Sequence, residues 1–278
     1  MRVLITGGTG KTGRRLAERL RAQGKDVRIA TRNPSSAHDR RFDWGDRATW
    51  APALDGVTAI YLVAPPGDAS PVIDFARQAN RDGGRRFVLL SASLLPAGGP
   101  GAGQVHQWLI DNAAEWAVLR PSWFMENFSE GPHRATIQSE DRIYSAAADG
   151  RVAFIGAEDI AAVARAALTA PKSINADLVL TGPAAISYDQ AAAILSRATG
   201  REISHVRISA EDLAARHRDR GTPPALAAIL AGMDGLIANG AEDRTTGDVE
   251  AVSGSKPVAF EAFCRENTDA WTRVSAEP

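Results

Sequence analysis

The sequence predicts an α/β fold in which a doubly wound parallel sheet carries helices on both faces. The first observation is an apolar run, residues 3–5, that ends in a glycine-rich turn, as a buried parallel strand does before a helix. The second is the alternation of short apolar runs with segments of helical periodicity as far as Pro121. The third is size, because 278 residues with 44% apolar side chains can bury a large core.

The first elements along the chain are a strand, a glycine-rich turn, a helix and a second strand. Leu16, Ala17 and Leu20 fall on one face of the helix, and Gly24 stands where glycine commonly ends a helix. The second strand covers residues 26–31. Together these elements have the length of a βαβ unit, about thirty residues.

The same alternation predicts the remaining elements of the sheet. Further strands are expected at residues 41–44, 59–63, 87–90, 116–119 and 177–180. Further helices are expected at residues 49–54, 71–81, 104–114 and 159–169. From Ser187 onward the pattern is mainly helical. We therefore expect residues 1–183 to form the sheet domain and residues 184–278 to form a smaller, mainly helical region.

Charge and cysteine content exclude several classes of function. The 32 basic and 33 acidic side chains give a formal net charge of −1, which indicates no general affinity for nucleic acid or for a membrane surface. Cys264 is the only cysteine, so an intrachain disulfide is excluded and a reducing cytoplasm is the expected location. We expect no signal peptide, and no apolar run approaches the roughly 18 residues that span a bilayer.

Two further kinds of site are not expected. The five histidines lack the spacing of metal ligands, so we predict no metal centre. A Gly-x-Ser-x-Gly segment is also missing from the sequence, which argues against a serine hydrolase.

The turn after the first strand carries the strongest functional signal. In Gly-Gly-Thr-Gly-Lys-Thr-Gly, residues 7–13, Gly7 permits a tight turn, Gly10 lets the backbone approach a pyrophosphate, and Gly13 allows close helix packing. The N–H groups at the helix start then hold the phosphates. This context predicts a Rossmann-type dinucleotide site rather than a P-loop, whose spacing is different. The other candidate contacts in the loop are Thr9, Lys11 and Thr12.

The end of the second strand predicts which dinucleotide binds. An NAD site usually offers a carboxylate there to the ribose 2′-hydroxyl, whereas a 2′-phosphate calls for a basic group. Arg32 occupies that position and no acid does, so NADP(H) is favoured. Arg28, Arg40 and Arg41 are candidates for additional positive charge, and Asp43 is a candidate contact for the adenine amino group.

Several segments together resemble the NmrA-like group of atypical short-chain dehydrogenases. They are the glycine loop with Arg32, residues 119–121 followed by residues 123–128, and residues 159–161 after Gly150. Within that group, residues 6–12 and 42–44 are similar to the ergot-alkaloid reductases of the festuclavine or agroclavine dehydrogenase type. The resemblance covers nearly the whole chain and is weakest after Glu211.

The resemblance implies where the cofactor and substrate lie. Parallel strands present ligands at their carboxyl ends, and the family places the nicotinamide near such ends. The matching residues here are Ala64, Pro65, Ser91 and Pro121. The residues implied for the substrate pocket are Ser93, Trp123, Phe124 and Asn127. Members of the group are either reductases or redox-sensing regulators.

The acid–base pair of ordinary short-chain dehydrogenases is missing. No lysine stands four residues after Tyr61, Tyr144 or Tyr188, so the Tyr-x-x-x-Lys pair that protonates an alkoxide cannot form. This absence does not exclude hydride transfer to an activated acceptor, which needs mainly proximity and orientation. His106 is the candidate acid, because its ordinary pKa lies near neutrality.

We therefore expect an NADPH-dependent oxidoreductase of secondary metabolism. Its substrate would be an activated small molecule: an imine or iminium, a quinone or a conjugated carbonyl. The alternative is a non-catalytic NAD(P)-sensing regulator, which the missing Tyr-x-x-x-Lys pair motivates. An isomerase or epimerase with a bound cofactor is less favoured, since such enzymes usually need the same acid–base pair.

Overall fold

The computed structural model describes residues 1–81 and 85–273. The strands are β1 Arg2–Thr6, β2 Asp26–Thr31, β3 Asp39–Arg41, β4 Ala59–Val63, β5 Arg86–Leu90, β6 Glu115–Pro121, β7 Arg142–Ser145, β8 Arg151–Val152, β9 Ala176–Leu180, β10 Ile186–Ser187 and β11 Ser204–Arg207. The helices are α1 Lys11–Ala22, α2 Trp50–Leu54, α3 Ser70–Arg81, α4 Ala102–Asn112, α5 Glu126–Ser129, α6 Pro132–Glu140, α7 Ala157–Thr169, α8 Tyr188–Thr199, α9 Ala210–Asp219, α10 Pro224–Ala238, α11 Asp248–Ser253 and α12 Phe260–Glu266. Short 3₁₀ helices cover Arg47–Thr49 and Thr268–Trp271.

Seven strands form one parallel sheet in the order β3-β2-β1-β4-β5-β6-β9. The chain moves outward from β1 to β3 and then returns to β4 on the other side of β1, so the winding reverses between β1 and β4. In sheets of this kind, ligands bind beyond the carboxyl ends of the strands at such a reversal. The predicted doubly wound α/β fold is confirmed.

The sheet is covered by helices whose apolar residues recur with helical period. On α3, the buried positions Val72, Phe75, Ala76 and Ala79 share one face, as a helix packed on a sheet requires. The central strands are apolar on both faces, which is typical of a sheet that is covered on both sides. The Thr6 hydroxyl adds a polar link between strands, because it donates to the Tyr61 carbonyl at 3.1 Å and accepts the Val63 N–H at 2.8 Å.

The chain divides into two compact units. Residues 1–121, 157–180 and 247–255 form the first unit, which contains the seven-stranded sheet. Residues 122–156, 181–246 and 256–278 form the second. The predicted boundary at residue 183 differs from this division, because the chain leaves the first unit after β6 and returns to it for α7 and β9. A hydropathy pattern follows the chain in order and gives no sign of such a return.

The second unit has a core and small sheets of its own. Its core includes Phe128, Phe154, Tyr188 and Phe260, with ring centroids 5.0–6.1 Å apart. Strands β7 and β11 pair in parallel, and β8 and β10 pair antiparallel. Residues 184–273 are mainly helical, as the sequence pattern predicts, with β10 and β11 as short strands, whereas β7 and β8 belong to residues 122–156. The strands have two to four residues, too few to show a period-two pattern.

One predicted strand of the main sheet is displaced. The sequence indicated a strand at residues 41–44, whereas β3 ends at Arg41. Phe42 and Trp44 pack edge-to-face against Phe75, and the Asp43 carboxylate accepts the Gly45 N–H at 2.9 Å, which closes a turn. The aromatic residues that suggested a strand are therefore core residues on a turn. Among the described residues, no helix is long and apolar enough to cross a membrane.

Candidate functional site

The glycine loop folds back tightly on itself between β1 and α1. Gly7 adopts a left-handed backbone with φ of +69°, and its carbonyl accepts the Gly10 N–H at 2.9 Å. A Cβ on Gly13 would lie 2.3 Å from the Gly7 carbonyl oxygen and 2.8 Å from the Gly8 Cα. Since both neighbours are backbone atoms, only glycine fits at position 13 without moving the loop.

The start of α1 is open in a way that suits an anion. Gly10 is exposed at the N-cap position, and no side chain of the described residues caps the helix there. The first N–H groups of a helix have no acceptor within the helix itself, and they carry the positive end of the helix dipole. A phosphate is the group that this arrangement binds most readily.

The side chains of the loop have different roles. Thr9 is exposed and Lys11 is half-buried at the helix start, so both can meet a ligand. Thr12 is buried, and its hydroxyl accepts the hydroxyl of Tyr61 on β4 at 3.0 Å. Burial raises the pKa of Tyr61 and keeps it protonated as the donor. Thr12 thus anchors α1 to the sheet through its side chain.

A cavity of about 220 Å³ lies beside the loop and the end of β2. Thr9, Thr31 and Asn33 form part of its wall, and Arg14 and Arg21 bring positive charge to it. The Asp39 carboxylate also lines the cavity, but it accepts hydrogen bonds from the backbone N–H and hydroxyl groups of Ser35 and Ser36 at 2.8–3.2 Å.

The hydrogen bond from the Ser35 N–H is the leading cause of the lowered pKa of Asp39, so its carboxylate remains ionised and occupied by this turn. The sequence did not single out Arg14 for this cavity. The sequence feature that could have indicated Arg14 is its position about one turn into the helix that follows the glycine loop.

The predicted basic residues are dispersed. Arg32 is exposed directly after β2, as expected, and Arg41 is exposed at the end of β3. Arg28 is buried, and its guanidinium donates to the carbonyls of Ala53 and Asp55 at 2.8 Å. The expectation that Arg28 adds charge for a phosphate is therefore wrong, because its side chain points to the helix layer.

Arg40 and Asp43 are both engaged in local structure. The Arg40 guanidinium donates to the carbonyls of Ala37 and Asp39 at 3.0 and 2.7 Å. The Asp43 carboxylate holds the Gly45 N–H, and its carbonyl accepts the indole N–H of Trp50 at 2.9 Å. The contact of Asp43 with adenine stays a prediction.

The carboxyl ends of β4, β5 and β6 hold the remaining predicted cofactor residues. Ala64 and Pro65 are half-buried directly after β4, and Pro121 is the buried last residue of β6. Ser91 follows β5, and its buried hydroxyl has no hydrogen-bond partner within residues 1–81 and 85–273. A buried polar atom without a partner is costly, so a ligand atom at this edge would be stabilising.

Three features of the first unit therefore fit a dinucleotide: the glycine cradle, the open helix start and the unpartnered Ser91 hydroxyl. When bound, a nicotinamide dinucleotide supplies hydride. The glycine cradle, the start of α1 and Ser91 would hold it at the carboxyl edge of the sheet.

His106 lies on α4 with its ring 6.0 Å from that of Trp116. It is 2% exposed, and neither ring nitrogen has a hydrogen-bond partner in the described part of the chain. Burial is the leading cause of its lowered pKa, which favours the neutral ring. A neutral buried imidazole is a poor acid, so the acid role of His106 stays a prediction that its surroundings do not favour.

The second unit contains an aromatic cavity of about 210 Å³. Among its lining residues are Trp123, Asn127, Tyr144, Tyr188, Arg216 and Asp234. Trp123 and Asn127 were predicted for the substrate pocket, and Trp123 follows the last residue of β6 by two positions. Phe124 instead forms a backbone bridge with Ile155, and Ser93 belongs to the first unit, where its N–H donates to the Pro121 carbonyl at 2.9 Å.

Sequence reasoning missed the charged residues of this aromatic cavity. Asp234 is 7% exposed, and one carboxylate oxygen accepts the Ala146 N–H at 2.8 Å. Burial raises the pKa of Asp234 to about 6, although that hydrogen bond opposes the change. The Arg216 guanidinium lies 3.5 Å from the ring centroid of Tyr144. The available signal was that Asp234 is the only charged residue in the apolar helix α10.

Comparison with known proteins identifies the family. A family described as NAD(P)H-binding matches residues 7–171, which is more than half of the chain. The chain belongs to this NAD(P)H-binding family. Its members take a nicotinamide dinucleotide as their ligand, in agreement with the glycine cradle between β1 and α1.

Relatives in this NAD(P)H-binding family extend over nearly the whole chain. Agroclavine dehydrogenase of Claviceps fusiformis is 43% identical, with 98% of this chain and 99% of the relative covered. Festuclavine dehydrogenase of Aspergillus fumigatus is 40% identical, with 98% and 100% covered. A solved structure of an NADPH-dependent quinone oxidoreductase from Escherichia coli in complex with NADPH is 24% identical. It has a TM-score of 0.80 and covers 95% of this chain and 99% of that one.

These findings confirm the resemblance to the NmrA-like atypical short-chain dehydrogenases of the festuclavine and agroclavine dehydrogenase type. The protein is an NAD(P)H-dependent reductase of that family, and it lacks the Tyr-x-x-x-Lys pair. The solved structure supports the fold.

Proposed function

We propose that the protein is an NADPH-dependent reductase that transfers hydride to an activated small molecule of secondary metabolism. The acceptor is an imine or iminium, a quinone or a conjugated carbonyl. The observation that carries the proposal is the full-length similarity to dehydrogenases of clavine alkaloids, in a chain that keeps the glycine cradle and has no Tyr-x-x-x-Lys pair. Such acceptors take hydride without an activated tyrosine.

The preference for NADPH follows from the charges around the end of β2. Arg32 is exposed there, Arg14 and Arg21 line the adjacent cavity, and the Asp39 carboxylate is held by Ser35 and Ser36. Glu18 also lines this cavity, but Arg32 stands directly after β2, where an NAD site usually carries a carboxylate, and a basic group there suits a 2′-phosphate better than a 2′-hydroxyl.

The single cysteine supports a reducing compartment for this reductase. Cys264 is buried, and its pKa is raised by burial to about 12, so its thiol stays protonated. We propose the cytoplasm, where disulfides are rare, as its location.

Calorimetric titration with NADPH, NADH and their oxidised forms tests the cofactor assignment. We expect NADPH to bind more tightly than NADH, and Arg32→Ala to weaken NADPH binding by about tenfold, as the loss of one charge-assisted contact does. Arg218→Ala, an exposed arginine of the second unit, is the matched control. Equal losses for NADPH and NADH would contradict the 2′-phosphate assignment.

Turnover is tested separately by following NADPH oxidation with a preformed iminium and with a quinone. Hydride transfer to either acceptor supports the reductase. Tight binding of both redox forms without any turnover would favour the sensor hypothesis instead.

A further inference from the structure

The cavity beside the glycine loop is bounded by α1 on one side and by the end of β2 on the other. A Cβ on Gly8 would lie 2.6 Å from Cγ2 of Ile29, so the loop lies directly on β2 at this point. The cavity opens beside that contact, and Thr9, Thr31 and Asn33 form part of its wall. A dinucleotide with its pyrophosphate at the start of α1 carries its adenosine ribose past the end of β2, so its 2′ substituent would face this cavity.

One face of α1 carries charged side chains to the cavity wall. Arg14, Glu18 and Arg21 are separated by four and three residues, so they share a face of the helix, and all three line the cavity. Arg19 lies on another face, where its guanidinium donates to the Glu158 carboxylate of α7 at 2.8 and 3.0 Å. The basic residues of α1 are therefore divided between the cavity and the packing against α7.

Arg14 is the cavity arginine nearest to the glycine loop. Its N–H donates to the Gly10 carbonyl at 3.1 Å, which closes the first turn of α1. Arg21 follows seven residues later, which places its Cα about 10 Å further along the helix. Among the described residues, the arginines that line the cavity are these two, whereas Arg32 is exposed directly after β2. Arg14 is thus the lining cation closest to the start of α1.

The two carboxylates in the cavity wall are held differently. The Asp39 carboxylate accepts four hydrogen bonds from Ser35 and Ser36 at 2.8–3.2 Å, so it is fixed on its own turn. Glu18 is exposed on α1, one turn beyond Arg14. An anion in the cavity is therefore attracted by Arg14 and repelled by Glu18 from the next turn of the same helix.

We propose that Arg14 is a specificity-determining residue for the cofactor: its guanidinium binds the 2′-phosphate of NADPH in this cavity, and Glu18 opposes that binding. The inference rests on the proposed function, whose preference for NADPH it extends from Arg32 to a second residue. A guanidinium presents its N–H groups in a planar fork that matches phosphate oxygens. NADH has a hydroxyl at the same position and gains little from the charge.

The first test measures binding of the adenosine half of the cofactor, without any hydride transfer. Adenosine 2′,5′-bisphosphate carries the 2′-phosphate, and adenosine 5′-monophosphate is the matched ligand without it. In calorimetry we expect Arg14→Gln to weaken binding of the bisphosphate by about 10- to 30-fold, because charge-assisted hydrogen bonds are lost. Binding of the monophosphate should stay within about twofold. NADPH and NADH should show the same contrast.

Other variants of α1 serve as matched controls. Arg19→Gln removes an arginine that pairs with Glu158, and it should leave the affinity for both nucleotides within about twofold. Arg21→Gln should weaken binding of the bisphosphate by no more than about threefold, since distance and salt reduce its attraction. Arg14→Lys keeps the charge without the planar fork, so it should recover part of the affinity that Arg14→Gln loses.

Glu18→Gln changes the affinity in the opposite direction. Removal of this negative charge should tighten binding of the bisphosphate by about two- to threefold at low salt, and the gain should shrink at about 0.5 M salt. A gain in affinity cannot come from a damaged fold. No gain at low salt would contradict the role of Glu18.

The outcomes separate this inference from the proposed function. Equal losses for NADPH and NADH in Arg14→Gln, or unchanged binding of both, would overturn the inference. A larger loss in Arg21→Gln than in Arg14→Gln would place the phosphate two turns further along α1 and would overturn it as well. In each of these cases, a wild type that still prefers NADPH leaves the proposed function intact. If wild type bound NADPH and NADH equally, the NADPH preference of the proposed function would also fall.

Discussion

The burial of Asp234 predicts a pH-dependent stability that can be measured without substrate or cofactor. Its pKa is about 6 in the folded protein against 3.8 for an ordinary aspartate. Between these values the folded state binds more protons than the unfolded state, so the free energy of unfolding falls as pH rises through this window. A difference of about two pKa units corresponds to about 3 kcal/mol of stability, lost by about pH 7 and constant above it.

Asp234→Asn removes the charge and keeps an oxygen that can accept the Ala146 N–H. We expect the variant to match wild type at about pH 4 and to be more stable by up to about 3 kcal/mol at about pH 8. Urea unfolding at both pH values, followed by far-ultraviolet circular dichroism, measures the difference. Asp219→Asn, on an exposed side chain, should show no such trend. A difference between Asp234→Asn and wild type that is the same at both pH values would refute the reasoning.

Three further predictions concern the scaffold. Gly13→Ala should cost about 1–3 kcal/mol of stability and abolish the dinucleotide binding that calorimetry measures, because the new Cβ would lie 2.3 Å from a backbone atom. The control is Gly232→Ala on α10, whose Cβ would meet no atom within 4 Å, so this variant should not lower the stability of the protein. Tyr61→Phe should cost about 1 kcal/mol in urea unfolding, since the Thr12 hydroxyl loses its 3.0 Å partner; no loss would contradict the anchoring role of Thr12. Trp271→Phe should lower Tm because the buried Phe128 carbonyl loses its indole donor at 2.7 Å; an unchanged Tm would show that another donor satisfies it.

The first unit could be predicted because its signals are local. The glycine spacing follows directly from the turn geometry, and the structure places Gly7 and Gly13 where backbone crowding requires them. The central strands β1, β4 and β5 are buried on both faces, so each contains a continuous apolar run. The orientation of single side chains was not predictable. Arg28 lies on β2 and is buried, whereas Arg32 directly follows β2 and is exposed.

The second unit could not be predicted because its chemistry depends on contacts between distant segments. Burial among aromatic residues that lie between about 45 and 110 positions earlier in the chain raises the pKa of Asp234, and the hydrogen bond from the Ala146 N–H, 88 positions earlier, opposes the change. Within α10 it has no charged partner three or four residues away, so the sequence shows only an acid in an apolar helix. A buried carboxyl of this kind is destabilising, and buried charges persist in proteins where function compensates for their cost. The burial of Asp234, which its own helix does not reveal, is therefore what lowers the stability of the protein as pH rises through about 6.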